Sequence, residues 1–323
     1  MARDTGGLPI VFMFSGQGSQ YHHMASDLFE TNPVFRSALL RYDAAVSEES
    51  GESVLDRVFD PARRKTDAFT DTRFTHPAIV MFQLALAEAV RAAGIDAQYV
   101  LGASLGEYAA AAWAGAVEPT QCLRLLARQA ALLRGAVSGG MLAVLADTTV
   151  FDDVPTLHGT DVAARNYPGH LVVSGTTDVL ERAATQLRAA DVLHQRVPVE
   201  HGFHSYLMDE VRERFRDCFE GVELTAPGIP WVSCVDGRVV ERPTVGHFWR
   251  VGRGPIEFQD TMRIMQGRGD FLYLDLGPSG TLQGFVRNNL PHGSRSRAVG
   301  LLSPFGGGGD AVAKARAAAD AAA

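Results

Sequence analysis

The tightest constraint in this chain is the segment YVLGASLGEYAAAAWAGAV, residues 99–117, where a short apolar run meets an alanine-rich stretch across Gly102-Ala103-Ser104-Leu105-Gly106. Tyr99–Leu101 predicts a strand, and Gly106–Gly115 predicts a helix whose alanines suit close packing against a sheet. A turn that sharp leaves room only for glycine on either side, and G-x-S-x-G between strand and helix is the pattern of a nucleophile elbow. Ser104 then lies near a helix N-terminus, where unpaired backbone N–H groups and the dipole favour developing negative charge. The plain alternative is a small-residue turn without chemistry.

The same alternation of strand and helix runs through the rest, which predicts an α/β fold. Leu8–Phe14 (LPIVFMF) is a buried-strand signal ended by SGQGSQ. Pro77–Ala93 has helical spacing, with Pro77 at the first turn and Gly94 as the stop. Residues 138–200 differ in character: MLAVL, a polar segment, DVAARN, HLVVSG, TDVLERAATQLRAA and VLHQRVPV give the order β-α-β-β-α-β, the ferredoxin-like signature. These observations predict a large domain over 1–137 and 201–305, interrupted by a small domain over 138–200. The strand and helix signals IPWVSCV, EFQDTMRIM and FLYLDLG return to the large domain, and 306–323 reads as a low-complexity tail or a short helix begun by Asp310.

With 323 residues and 46% hydrophobic content, the chain can bury a large core. Three widely spaced cysteines, Cys122, Cys218 and Cys234, form neither a disulfide framework nor a zinc pattern, which suits a reducing compartment. No leader pattern and no run of ~20 apolar residues is present, so a cytoplasmic protein without membrane contact is expected. A net charge of −7 argues against nucleic acid as a partner. Basic residues cluster at Arg63, Arg64 and Lys65, at Arg250 and Arg253, at Arg287, and at Arg295 and Arg297. Ordinary solvated surface explains such groups, and a docking patch for an acidic protein is the sharper alternative.

A serine hydroxyl needs a base to take its proton. Of ten histidines, His201 and His204 stand together in VPVEHGFHSYLMD, where the small domain hands the chain back to the large one. A cleft between domains is where a site is expected, and residue chemistry alone does not choose between the two.

Several blocks now fall together: FSGQGSQ (14–20), GASLGEY (102–108), GGMLAV (139–144), RNYPGHLVVSG (165–175), HGFHS (201–205) and LDLGPSGTL (274–282). In order and spacing the chain resembles the malonyl-CoA:acyl-carrier-protein transacylases and the acyltransferase domains of polyketide synthases, over nearly its whole length. The resemblance implies an α/β-hydrolase-like large domain with an inserted ferredoxin-like small domain. It makes Ser104 the acyl-accepting nucleophile and His204 the base, with His201 and Phe203 at the substrate pocket. It implies an oxyanion hole from the backbone N–H groups of Gln17 and Leu105, and a backbone carbonyl orienting the histidine, which by spacing from Pro255 falls at Val251. It implies no metal and no bound cofactor, since phosphopantetheine arrives on donor and acceptor acyl carrier proteins, or as CoA. The expected enzyme is a discrete, trans-acting monomer in polyketide-type antibiotic biosynthesis. Carrier proteins are usually acidic, which makes Arg250, Arg253, Arg287 and Arg295 the docking candidates.

Two departures bear on the cargo. In the family an arginine twenty-five residues after the serine grips a malonyl-type carboxylate; here that position is Gln129. Arg128 is adjacent, but one helical residue turns a side chain by ~100°. Glutamine supplies neither the charge nor the bidentate fork. The family's usual histidine before the nucleophile is Ala103, which enlarges the space. Gln129 and Ala103 together predict a pocket for a non-carboxylated acyl group, with aminoacyl and dipeptidyl groups as candidates. The alternatives are a trans-acting acyl hydrolase that clears carrier proteins, an ordinary malonyl transacylase on a slipped helix, and a catalytically silent docking module.

Overall fold

The computed structural model describes residues 7–133, 138–306 and 308–323. Nine strands occur among them: β1 (Ile10–Phe14), β2 (Tyr99–Gly102), β3 (Gly140–Val144), β4 (Asp161–Tyr167), β5 (His170–Gly175), β6 (His194–Arg196), β7 (Trp231–Ser233), β8 (Leu272–Asp275) and β9 (Arg297–Gly300). They form two sheets. The first, in the order β7-β2-β1-β8-β9, is parallel at every pairing, with Phe14 opposite Gly102 and Met13 opposite Asp275. The second, in the order β4-β5-β3-β6, is antiparallel throughout.

β1 and β8 are buried on both faces, as the apolar runs IVFMF and LYL require. One face packs on the helices Pro33–Ser50, Thr72–Ala92 and Pro119–Leu133, and the other on Phe258–Gln266 and Thr281–Asn289. The helix expected to open at Pro77 begins five residues earlier, at Thr72. Asp71 caps it by accepting from the N–H of Arg73 at 3.0 Å, which leaves Pro77 inside the helix. A proline one and a half turns in removes one helical donor. β9 and the helices Pro33–Ser50, Val245–Arg253 and Thr281–Asn289 lie outside the segments in which the sequence predicts an element.

The chain leaves the first sheet before Ser138 and returns at His201, and these two residues form an antiparallel bridge. Between them lies the second sheet, covered by the helix Thr177–Ala189. The polar segment read as its first helix is a single turn, Val150–Asp153, followed by the 3-10 turn Pro155–Gly159. Pro155 and the threonines around it interrupt a longer helix. Ile256 stitches the two sheets together, donating to Ala163 at 2.9 Å and accepting from Arg165 at 2.9 Å.

Ala311–Asp320 is a helix with Ala311 and Ala315 fully buried in the main core. Ala322 accepts from the N–H of Leu8 at 2.8 Å, and Ala321 from Arg297 at 2.9 Å. Small side chains let this helix, the short one expected to begin at Asp310, lie close to the sheet. Cys122, Cys218 and Cys234 are unpaired. Among the described residues no helix is long and apolar enough to cross a membrane, and no cluster of side chains could hold a metal ion.

Candidate active site

The elbow sits at the carboxyl end of β2, the end of a parallel sheet where ligands bind. The glycines are there for close approach. A Cβ on Gly106 would stand 1.9 Å from the carbonyl oxygen of Phe14, and one on Gly102 would stand 2.5 Å from Cα of Glu107. The strained residue is Ser104 itself, with a left-handed φ of 54° held by bonds from the N–H of Gly106 to Ala103 and of Glu107 to Ser104. That conformation pushes Oγ out of the turn. His204, on the return from the second sheet, is also left-handed at φ 58°.

Ser104 Oγ lies 2.8 Å from Nε2 of His204, and Nδ1 of the same ring lies 2.8 Å from the carbonyl oxygen of Gly254. A ring whose Nδ1–H donates to a carbonyl presents a bare Nε2, the tautomer a base requires. Burial pushes the imidazole down to about 4, so it is neutral near pH 7. The orienting carbonyl is therefore that of Gly254 and not that of Val251. Val251 lies inside the helix Val245–Arg253, where carbonyls run along the axis, whereas Gly254 is extended and turns its oxygen to the ring. The side chain of Val251 lines the recess instead. His201 does not reach the serine; it stands edge-on behind Phe203, with ring centroids 5.5 Å apart.

The SGQG loop packs directly on the elbow. A Cβ on Gly16 would lie 2.9 Å from Cβ of Ser104, so the next residue, Gln17, is beside the nucleophile. Among the described residues nothing accepts a hydrogen bond from the backbone N–H of Gln17 or of Leu105. Two unpaired donors flanking an exposed hydroxyl can stabilise an oxyanion.

Two hollows meet at Ser104. The first, a recess of about 550 Å³ including its mouth, is lined by Gln17, His76, Tyr108, Gln129 and a wall of apolar side chains that includes Leu126 and Phe203. It contains no lysine or arginine. Gln129 is only 5% exposed, with the Tyr108 side chain as its polar neighbour. Arg128 faces the other way, donating to the carbonyls of Cys218 at 2.9 Å and Glu220 at 3.0 Å, with Glu49 at 3.5 Å. The helix is thus in the ungapped register. Burial holds His76 down to about 3, so it too carries no charge.

The second hollow, about 1210 Å³ with its mouth, is a cleft between the two sheets. Ser15 and Ser19 line one side, and Asn166, His170, Gln195 and Arg196 the other. Ala103 faces this cleft and not the recess, so Ala103 and Gln129 do not shape one pocket. Residues 103 and 105 leave the elbow on opposite sides of the serine, a separation that linear spacing hides.

Glu107, inside the GASLGEY block, was not singled out by sequence reasoning. It is 1% exposed and accepts from Trp231 Nε1 at 2.7 Å, Ser233 Oγ at 2.8 Å and the N–H of Cys234 at 2.7 Å. Burial pushes its carboxyl up to about 8 against the pull of those donors. Cys234 in turn accepts from the N–H of Glu257 at 2.7 Å, so Glu107 links the elbow to the loop that carries Gly254. A lone glutamate just after a serine motif gives no sequence signal of that role.

The proposed docking arginines do not form one surface. Arg250 pairs with Asp236 at 3.0 Å, and Arg253 is held by Asp209 at 3.0 Å and Asp161 at 3.4 Å. Arg287 is exposed on the helix that lines the cleft. Arg295 precedes β9 and sits at the amino end of the parallel sheet, away from the site, so it leaves the group. Parallel strands put their two ends on opposite sides, which proximity in sequence cannot show.

Residues 11–321 match the acyl transferase domain family. The chain is 38% identical to the polyketide biosynthesis acyltransferase homolog BaeD of Bacillus velezensis, over 92% of each chain. It is 36% identical to the polyketide biosynthesis acyltransferase homolog PksD of Bacillus subtilis, again over 92% of each. The acyltransferase domain from the second module of the salinomycin polyketide synthase superposes with a TM-score of 0.86 at 31% identity, covering 97% of this chain and 73% of that one. A serine–histidine pair on a strained elbow at the end of a parallel sheet agrees with these matches, and the chain belongs to the acyltransferase domain family.

Proposed function

We propose that this acyltransferase acts in polyketide biosynthesis and moves a non-carboxylated acyl group between phosphopantetheine thiols of carrier proteins, through an ester on Ser104. The observation that carries the reading is the uncharged lining of the recess behind Ser104, with Gln129 where relatives of the resembled family place a cation. A buried carboxylate there would have no partner, which costs several kcal/mol. The four-stranded unit between Ser138 and His201 we read as the inserted ferredoxin-like subdomain, because β4-β5-β3-β6 has its strand order.

In this mechanism Ser104 Oγ gives its proton to Nε2 of His204 and attacks the thioester carbonyl. The N–H groups of Gln17 and Leu105 hold the oxyanion, at roughly 3–4 kcal/mol of barrier for such a donor. The imidazolium, steadied by the Gly254 carbonyl, returns the proton to the departing thiol sulfur. A second thiol enters from the cleft, is deprotonated by His204, and attacks the acyl ester to restore Ser104. The cleft, bordered by polar side chains of both sheets, gives an extended arm its route to the serine.

The width of that same cleft favours a second reading, in which water is the acceptor and the enzyme is an acyl hydrolase. One experiment addresses both. Purified protein is offered malonyl, acetyl, butyryl and aminoacyl thioesters in competition and its intact mass is followed. Uncharged adducts are expected to dominate, and preferential malonyl loading sinks the proposal. The half-life of the adduct without an acceptor carrier protein then assigns the outcome: a stable ester means transfer, rapid loss means hydrolysis.

A further inference from the structure

The bond between Nδ1 of His204 and the carbonyl of Gly254 joins two segments fifty residues apart in the chain. His204 is left-handed at φ 58°, a conformation that a non-glycine residue keeps only when its surroundings fix it. On the amino side its own N–H donates to Gly252 at 3.0 Å. On the carboxyl side the N–H of Tyr206 donates to Oδ2 of Asp161 at 2.7 Å. The same oxygen accepts from Nη1 of Arg253, the residue before Gly254, at 3.4 Å. Arg253 also donates from Nε to Asp209 Oδ1 at 3.0 Å, in the turn that follows His204. One carboxylate oxygen therefore touches both the segment that carries the base and the segment that carries its carbonyl partner.

Asp161 opens β4, so this oxygen belongs to the second sheet, whereas Ser104 belongs to the elbow of the first. β4 holds the partner segment further along as well, through the bonds of Ala163 and Arg165 to Ile256. The place of the Gly254 carbonyl is thus set from the second sheet. Stability does not account for the charged contacts, since the side chains of Arg253 and Asp161 are 30% and 39% exposed and such wet ion pairs add little to folding. Their consequence is where the imidazole points. We propose that Asp161 is a positioning residue for acyl transfer: with Arg253 it clamps the Gly254 carbonyl against His204 and so keeps Nε2 on the hydroxyl of Ser104. The proposal rests on the reading of Ser104 and His204 as nucleophile and base.

The test follows acetylation of the protein by acetyl-N-acetylcysteamine, which lacks a carrier protein, through intact mass over a range of thioester concentrations. Asp161→Ala and Arg253→Met should each lower the saturated rate about tenfold, as a shift of less than about 1 Å in a catalytic group would do, with the half-saturating concentration unchanged. The double variant should fall no further than the slower single one, because both act through one clamp. Arg253→Lys, which keeps the charge but not the fork, should recover part of the rate. Proton NMR supplies a readout apart from activity: the Nδ1–H resonance of His204, sheltered by the Gly254 carbonyl, should broaden in Asp161→Ala. Asp147→Ala is the control, since Asp147 accepts from the N–H of Gly169 at 2.9 Å in the same unit and touches neither segment. It should keep both the rate and the resonance. Arg253→Met carries the same test if Asp161→Ala does not fold. Saturated rates within about twofold of the wild type in the folded variants overturn the proposal, as do additive losses in the double variant or an unaltered resonance. A loss confined to the half-saturating concentration also overturns it, by assigning the pair to binding. Acetylation of Ser104→Ala as fast as the wild type instead overturns the reading of the nucleophile, so the two failures are told apart.

Discussion

Replacing Gln129 with arginine should convert the recess into one that takes malonyl groups. The position is 5% exposed, on a helix whose neighbouring Arg128 is already engaged elsewhere, and no other lining residue carries charge. In the wild type a malonyl carboxylate would enter this space unpaired, at about 3–5 kcal/mol by the cost of breaking a buried ion pair. Each 1.36 kcal/mol is a factor of ten in rate, so malonyl kcat/KM should lie about 10²–10⁴ below that of an acetyl or butyryl thioester. A guanidinium at 129 supplies the missing bidentate partner. The variant should raise malonyl acylation of Ser104 by at least about a hundredfold and slow neutral acyl groups, which would bury an unpaired guanidinium. Stopped reactions followed by intact mass give both rates, and Gln129→Met, equally long and uncharged, serves as the control with no gain. Malonyl rates in Q129R no higher than in Q129M, with both proteins folded, would refute the reasoning that charge at this position decides the cargo.

Acid should silence the enzyme later than an ordinary histidine would. His204 titrates near 4 because it is buried, so kcat/KM should stay flat from neutral pH down to about 5 and fall with unit slope through about 4. A limb centred at 6.5, the ordinary imidazole value, would contradict the burial argument. The linkage has a definite sign: His204 and His76 are both depressed on folding, so the unfolded chain binds more protons between their folded values and 6.5. Their contribution to stability is then fully present above pH 6.5 and is lost as pH falls toward 4. The buried carboxyls of Glu107 and Asp275, raised to about 8 and about 6, act in the opposite sense. Glu107→Gln should therefore lose stability more steeply than the wild type between about pH 6.5 and 4.5 in thermal melts. At the elbow, Gly106→Ala would place a methyl 1.9 Å from the carbonyl oxygen of Phe14. The variant should melt well below the wild type or fail to accumulate, and an unchanged melting temperature with full acylation would show that the backbone yields there.

Much of the elbow was legible in the sequence because its constraints are local. Gly102, Ser104 and Gly106 are within one turn of chain, and the strand–turn–helix geometry follows from their order and size. The burial of β1, β2 and β8 was legible for the same reason, as each is built on a short apolar run. Gln129 could be placed too, since twenty-five residues of mostly helical chain carry register faithfully.

What the sequence alone could not determine depends on contacts between distant segments. The choice of Gly254 over Val251 turns on where a helix ends and which way one carbonyl then points. The division of Ala103 and Gln129 between two hollows, and the placing of Arg295 at the far end of the sheet, require knowing which side of a strand each residue occupies once neighbours have packed. Glu107 acquires its role only when Trp231, Ser233 and Cys234 arrive from more than a hundred residues away. Local sterics fix the turn that exposes a serine, whereas the proton acceptor, the shape of the cavity and the pairing of its polar atoms are properties of the folded interior. They exist only after hydrophobic burial has brought those segments together and stripped them of water.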